Sequence, residues 1–272
     1  MEHSKFMALA ATLAMAAACP AQAGSIQEPG ETAGVALGPP LPPGAYFINF
    51  LNYGVHDSDP RLTTVVEIPV LAWSTPWTLL GGRVLLGAAT PAVDVGVQGG
   101  TGLGDWYYPE IIYGLGWQLT PSLSASFIGA TYFPVNTGIT RLIIGDRGTE
   151  RLGGAMTYSA HGWTLSGYMQ YGLTYGSDAL VPGGAHDWIN VDLTALKSVG
   201  KWQLGVVGYG SADTTSPYAG YKRQNEIGVG PLVGYDFGPL TLQVKLTTEI
   251  DQANYGGRDT RFWTNLIIPL KF

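Results

Sequence analysis

The residues able to do acid–base work are few. Outside the first 23 positions there are three histidines, His56, His161 and His186. His56-Asp57-Ser58 and His186-Asp187 each set an imidazole beside a carboxylate, the beginning of a relay that could activate a hydroxyl. Adjacent residues on a strand point to opposite faces, so neither pair is built as a relay. A lipid hydrolase would also need its nucleophile and base on one face, and no Gly-x-Ser-x-Gly element occurs. Gly99-Gly100-Thr101-Gly102-Leu103-Gly104 has the glycines of a phosphate loop without the Lys-Ser/Thr or the following helix. The single cysteine, Cys19, precedes a small-x-small cleavage motif, Ala21-Gln22-Ala23, and is removed with it. No catalytic residue, cofactor or metal is expected.

The remaining ionisable residues suit another use. Glu67, Arg83, Glu110, Asp192, Asp236, Lys245 and Glu249 fall on the wetter face of alternating segments, together with Gln170 and Gln243. Tyr108, Tyr168, Tyr209 and Trp263 share that face by parity. Such a set either balances the charge of a wet interior or forms a constriction that selects what passes. Glu67, Arg83 and Glu110 are candidates for the constriction because they belong to neighbouring segments, and Lys245 and Glu249 lie four apart on one face. The aromatics either touch an apolar solute or fill space beside glycine.

The elements that position these residues have a period of two. In Leu240 to Asp251 the even positions are Leu240, Leu242, Val244, Leu246, Thr248 and Ile250, against Thr241, Gln243, Lys245, Thr247, Glu249 and Asp251. One apolar and one wet side is the mark of a strand between two unlike solvents. Twelve segments of this kind follow one another, near 45–54, 61–73, 77–89, 104–118, 122–134, 149–160, 163–175, 187–198, 201–212, 222–237, 239–251 and 261–272. Most reach the roughly nine to eleven residues that a tilted strand needs to cross a bilayer. Their connections alternate between minimal and long. The minimal ones are Ser74-Thr75-Pro76, the neighbourhood of Thr120-Pro121, His161-Gly162, and the neighbourhoods of Gly200 and Gly238. The long ones include 134–148 and 176–186. Loops sorted this way separate a periplasmic rim from an outer one. Trp73, Trp77, Trp117, Trp163 and Trp202 lie beside short turns, and Trp106, Trp188 and Trp263 at long-loop ends, where headgroup girdles would be.

Unpaired amides cannot face lipid, so an alternating all-β chain that inserts must close on itself. The expected fold is therefore all-β: a closed antiparallel transmembrane β-barrel of about twelve strands over 45–272, with outer-membrane lipid as its surroundings. Residues 1–23 read as a signal peptide, with Lys5 ahead of an apolar run. Residues 24–44 are rich in Gly and Pro and have no period; they either hang in the periplasm or plug the lumen.

Composition agrees. The chain has 272 residues, 46% hydrophobic and only 12% charged, roughly half the charge of ordinary soluble domains. A net charge of -6 with 14 Lys and Arg offers no basic surface to nucleic acid. No apolar run reaches the roughly 18 residues of a membrane helix.

Short motifs carry a resemblance. Pro40-Leu41-Pro42-Pro43-Gly44-Ala45-Tyr46-Phe47 opens the first strand; Gly102-Leu103-Gly104-Asp105 precedes Tyr107-Tyr108-Pro109. Gly228-Val229-Gly230-Pro231 leads to Gly234-Tyr235-Asp236, and the Glu249 strand precedes the Trp263 strand. Together these resemble the outer-membrane proteins associated with the meta-pathway of phenol degradation, often called simply transporters. The segment 139–150 follows that pattern poorly. The resemblance implies a bacterial outer-membrane barrel that moves hydrophobic or aromatic compounds inward, with no catalytic residues to carry over. Asp105, Pro231, Tyr235 and Glu249 match its motifs. The terminal Phe272 resembles the C-terminal aromatic by which the barrel-assembly machinery receives such proteins. The expected function is passive passage of small molecules. The alternatives are a non-conducting barrel whose outer loops bind a ligand or partner, and a membrane-embedded lipid hydrolase using His56 or His186.

Overall fold

The computed structural model describes residues 25–98, 103–135, 137, 148–175, 186–217 and 219–270. The signal-peptide segment, Phe272, most of the glycine run 99–104, and the greater part of 136–147 lie outside the described residues. Fourteen strands run in one antiparallel sheet: β1 Gly44–His56, β2 Leu62–Leu79, β3 Gly82–Ala89, β4 Ala92–Val97, β5 Leu103–Trp106, β6 Glu110–Gln118, β7 Leu123–Tyr132, β8 Gly148–Ala160, β9 Trp163–Tyr175, β10 Trp188–Val199, β11 Trp202–Asp213, β12 Asn225–Asp236, β13 Thr241–Ala253 and β14 Asp259–Leu270. β1 pairs with β2 on one side and with β14 on the other, so the sheet closes. β3 with β4, and β5 with β6, are halves of single staves, which makes a twelve-stave barrel. Among the described residues no helix is long and apolar enough to cross a membrane; the strands do the crossing.

Prolines cause both interruptions. Thr90 donates to the carbonyl of Pro69 (3.4 Å), Tyr107 to that of Pro91 (2.8 Å) and Phe133 to that of Pro109 (2.9 Å). A proline has no amide hydrogen with which to return the bond. The ladder is thus one-sided at one height across four neighbouring staves, and β2 changes partner there, from β3 below to β4 above.

Two expectations about this region are corrected. Ser74-Thr75-Pro76 is not a turn. It is an irregular stretch within β2, and the chain reverses at Leu80-Gly81, where both residues have positive φ (52° and 76°). Residues 92–97, read as loop, form β4. The turns at His161-Gly162, Gly200 and Gly238 stand where expected, with positive φ at each glycine.

The outer surface is apolar: Leu71, Leu165, Met169, Val206, Leu246, Ile250 and Phe262 are all exposed. At the short-turn rim Trp73 and Trp77 meet edge to face at 5.0 Å, and Trp202 meets Tyr235 at 4.8 Å. Trp106, Trp163 and Trp202 are exposed as girdle residues, but Trp188 and Trp263 are not; both are fully buried and point inward. Trp188 lies on Gly172, where an added Cβ would come within 2.0 Å of the indole. Glu67, Asp94 and Glu150 also break the apolar exterior, all toward the long-loop half. Glu150 accepts hydrogen bonds from Tyr113 and Thr131.

Candidate functional site

The inside of the barrel has two unlike walls. On β1, β2, β3, β4, β6 and β7 the inward residues are largely apolar, including Phe50, Val66, Ile68, Val70, Val95, Ile128 and Ala130. From β8 to β14 they are largely polar: Arg151, Gln170, Asn190, Asp192, Thr194, Glu226, Gln243, Lys245, Glu249, Arg261 and Asn265 are all buried.

Between the walls runs the segment 25–41, whose residues from Ser25 to Gly34 are buried. It advances by tight turns, Glu31 donating to Glu28 (3.1 Å), Ala33 to Gly30 (3.2 Å) and Val35 to Thr32 (3.0 Å). Gly30 and Gly34 have φ of 84° and 103°, a region that disfavours side chains. Each also passes close to the wall: a Cβ at Gly30 would meet the Tyr209 ring at 2.6 Å, and one at Gly34 would meet Leu232 at 2.5 Å. Most apolar side chains of the segment turn to the apolar wall, while Ala33 packs with Leu196, Val207 and Leu232 of β10 to β12. Ile26 packs with Tyr107, Tyr108, Val95 and Tyr132, Val35 with the Phe50–Val66 cluster, and Leu37 with Ile128.

Charged and amide groups of the polar wall hold the upper part. Asp192 accepts from Gly30 N (3.1 Å), Thr32 N (3.0 Å) and Thr32 Oγ1 (2.5 Å). Lys245 Nζ donates to the carbonyls of Gly30 (2.5 Å), Glu31 (3.1 Å) and Ala33 (2.6 Å), with Trp263 beneath it at 4.4 Å. Gln243 donates to Gly34 O (2.9 Å) and Asn190 to Ser25 Oγ (2.7 Å). Arg261 pairs with Glu28 and Asp259, and Asn52 donates to Glu28 at 2.5 Å. Arg151 binds Gln27 and pairs with Glu110 at 3.4 Å. A charge-assisted hydrogen bond in a low-dielectric interior is about twice as strong as a neutral one, which is how a chain without period acquires one path.

The lower part is held by hydroxyls alone. Thr157 accepts from Gly38 N (3.1 Å), while Ser126 and Ser74 donate to the carbonyls of Leu37 and Leu41, each at 2.7 Å. There the segment and the wall leave a cavity of about 80 Å³, lined among others by Val35, Leu37, Ile48, Leu85, Ile128 and Arg83.

The residues singled out by sequence divide as follows. Glu110, Tyr108, Tyr168, Gln170, Tyr209, Gln243, Lys245, Glu249 and Trp263 are inward and buried. Most touch segment 25–41 or each other rather than a bore; Glu249 faces Glu226. Glu67 is a correction: it is exposed on the outer face of β2, where Asn49 approaches it at 3.4 Å. Arg83 lies near the short-turn rim, donating weakly to Thr75 O (3.4 Å). Glu67, Arg83 and Glu110 therefore form no common constriction. Asp105 accepts from Trp106 N (2.8 Å), Pro231 faces outward on β12, and Tyr235 belongs to the rim aromatics. Arg151 and Arg261 were missed, although the alternation of Arg151, Gly153, Ala155 and Thr157 against Leu152, Met156 and Tyr158 placed Arg151 inward.

Of the two adjacent His-Asp pairs, His56 and Asp57 both lie against Gly257, whereas His186 and Asp187 are not a pair in space. His186 Nε2 lies 2.7 Å from Asp213 Oδ1, whereas Asp187 turns away to accept from Thr174 N (3.0 Å). The hydroxyl approaching His186 is that of Tyr221, at 3.4 Å. His56 is buried at the top of β1 beside Gly257. Among the described residues no group of three or more His, Cys, Asp or Glu could hold a metal ion.

Comparison with known proteins adds three kinds of finding. A family model described as "Putative MetA-pathway of phenol degradation" matches residues 38–266. No curated protein matches the chain. Among solved structures, an outer membrane channel from Pseudomonas putida F1 is similar with a TM-score of 0.70 at 14% identity, over 90% of this chain and 100% of that one. The beta domain of the Bordetella autotransporter BrkA is similar with a TM-score of 0.54 at 12% identity, over 84% and 99%. The NanC porin is similar with a TM-score of 0.51 at 10% identity, over 82% and 100%. At such identities these likenesses establish the fold, that of outer-membrane barrels.

Proposed function

The chain belongs to the family of the MetA-pathway of phenol degradation, and from that premise we propose that it is an outer-membrane channel. Small apolar or aromatic molecules would diffuse through it passively once segment 25–41 yields. The observation that carries this reading is the lengthwise division of the lumen into an apolar and a polar wall, filled by a segment tethered to β1 and held on the wall by non-covalent contacts. A structural interior could be packed by side chains of the staves alone; a detachable chain segment is the simpler way to build a path that opens. The solved channel from Pseudomonas putida F1, with the same fold, supports the reading.

In this reading residues 1–23 export the chain, and 45–272 form the barrel that the assembly machinery receives. Flux follows the concentration gradient, because the chain carries no nucleotide-binding motif. Catalysis has no part in it.

The test is planar-bilayer conductance and liposome swelling with the purified full-length mature protein, beside a variant lacking residues 25–41. Conductance that rises in the deletion variant supports the reading. A deletion variant that folds yet stays electrically silent and solute-tight would overturn it, and would favour a barrel that works through its outer loops.

A further inference from the structure

The cavity between the segment and the wall is lined by a cation that has no counter-ion among the described residues. Inside the barrel Arg151 pairs with Glu110, and Arg261 with Glu28 and Asp259. Lys245 is saturated by three carbonyls. Arg83, which lines the cavity, makes no ion pair among the described residues, and its hydrogen bond to Thr75 O is long at 3.4 Å. The neighbouring hydroxyls do not supply an anion. Tyr46 donates to Pro42 O (2.8 Å), and Ser74 and Ser126 donate to the segment. Their protons are spent, so the guanidinium is the donor left for a guest. The other walls are apolar: Val35, Leu37, Ile48, Leu85 and Ile128.

We propose that this cavity is a binding site for a single-ring aromatic anion, a carboxylate or a phenolate, with its charge on Arg83 and its ring against Ile48, Leu85 and Ile128. The proposal rests on the channel reading and gives that channel a site on its periplasmic side. An apolar body with one negative charge matches the lining, because a planar guanidinium forks onto a carboxylate and an aliphatic wall gains from covering a ring. Size is set by the segment. The cavity is about 80 Å³, against roughly 150 Å³ for an engineered void that takes benzene, so the guest must push the chain aside. The chain there is the part held by hydroxyls and not by charges. Entry of the guest and loosening of the segment are then one event.

The experiment measures binding of benzoate, benzyl alcohol and acetate to the full-length mature protein in detergent, by titration calorimetry, for wild type, Arg83→Gln and Arg83→Lys. Retention of the compact, heat-modifiable gel form shows that each variant is folded. Benzoate is expected to bind wild type, at least tenfold more weakly to Arg83→Gln, and to Arg83→Lys with an affinity between the two, because lysine keeps the charge and loses the fork. Acetate is expected to bind at least tenfold more weakly than benzoate. Equal benzoate affinity in wild type and Arg83→Gln, acetate binding as well as benzoate, or no benzoate binding at all overturns the site. Conductance of the variant lacking residues 25–41 separates the two readings. If that variant conducts while the full-length protein ignores benzoate, the site alone falls; if it folds and stays silent while the full-length protein binds benzoate through Arg83, the channel alone falls.

Discussion

Replacing Lys245 with methionine tests whether the ammonium group holds the lumenal segment in place. Methionine keeps most of the side chain's length and removes its charge. In the wild type the ammonium, 1% exposed, donates to the carbonyls of Gly30, Glu31 and Ala33 at 2.5, 3.1 and 2.6 Å. Hydrogen bonds to charged groups contribute about 1.5–3 kcal/mol each. Three cannot be summed, because burying the ammonium costs several kcal/mol in return. The substitution also leaves Asp192 with one cation fewer. Taking a net loss of about 3 kcal/mol, at about 1.4 kcal/mol per factor of ten, the ratio of seated to displaced segment falls by roughly two orders of magnitude. Single-channel recording reads this as open probability, and the expected result is a large increase at unchanged unit conductance. A Lys245→Met protein that keeps its heat-modifiable gel form and opens no more often than wild type would refute the reasoning.

Further expectations concern other contacts. Asp192→Ala removes the acceptor of Gly30 N, Thr32 N and Thr32 Oγ1; open probability is expected to rise in the same assay, and less than additively with Lys245→Met, because each single change leaves the other buried charge with one counter-charge fewer and the double change does not. Glu67→Leu takes a carboxylate off the lipid-facing side of β2. It is expected to stabilise the barrel by up to about 1 kcal/mol, seen as a higher urea midpoint for refolding into lipid vesicles, and a lower midpoint would contradict the outward placement. Gly172→Val puts a branched side chain where Trp188 lies. Overpacking of about 1–3 kcal/mol is expected, measured as a lower temperature for the gel-mobility transition.

Much of the wall was legible in the sequence, because lipid outside and polar groups inside impose period two on each stave. On β13 the parity of Gln243, Lys245 and Glu249 against Leu242, Leu246 and Ile250 matches the burial residue by residue. β2 shows why parity failed elsewhere. Val65, Val66, Ile68, Val70 and Leu71 are apolar on both faces, so between Val65 and Ala72 Glu67 is the one polar residue, and it alone points parity the wrong way. The inner face of that stave is greasy because Val35 of the segment packs against it. That contact spans the sequence and leaves no local signature. The turn was misplaced for a related reason: Ser-Thr-Pro has turn chemistry, but Leu80-Gly81 adopts the backbone. The path of residues 25–41 depends on partners up to 233 positions away, as in the Arg261–Glu28 pair, and a glycine- and proline-rich stretch has no period to betray them.

An interior divided lengthwise has a consequence for whatever crosses it. A uniformly wet tube sorts solutes by width and charge, and a uniformly oily one excludes ions and traps grease. Here the oily lane follows β1 to β7 and the hydrated lane β8 to β14. A two-ended molecule travelling between them would keep its hydrocarbon edge turned one way throughout, as it does at the surface of a droplet, so passage would be governed by which side of the solute is dry more than by how large it is.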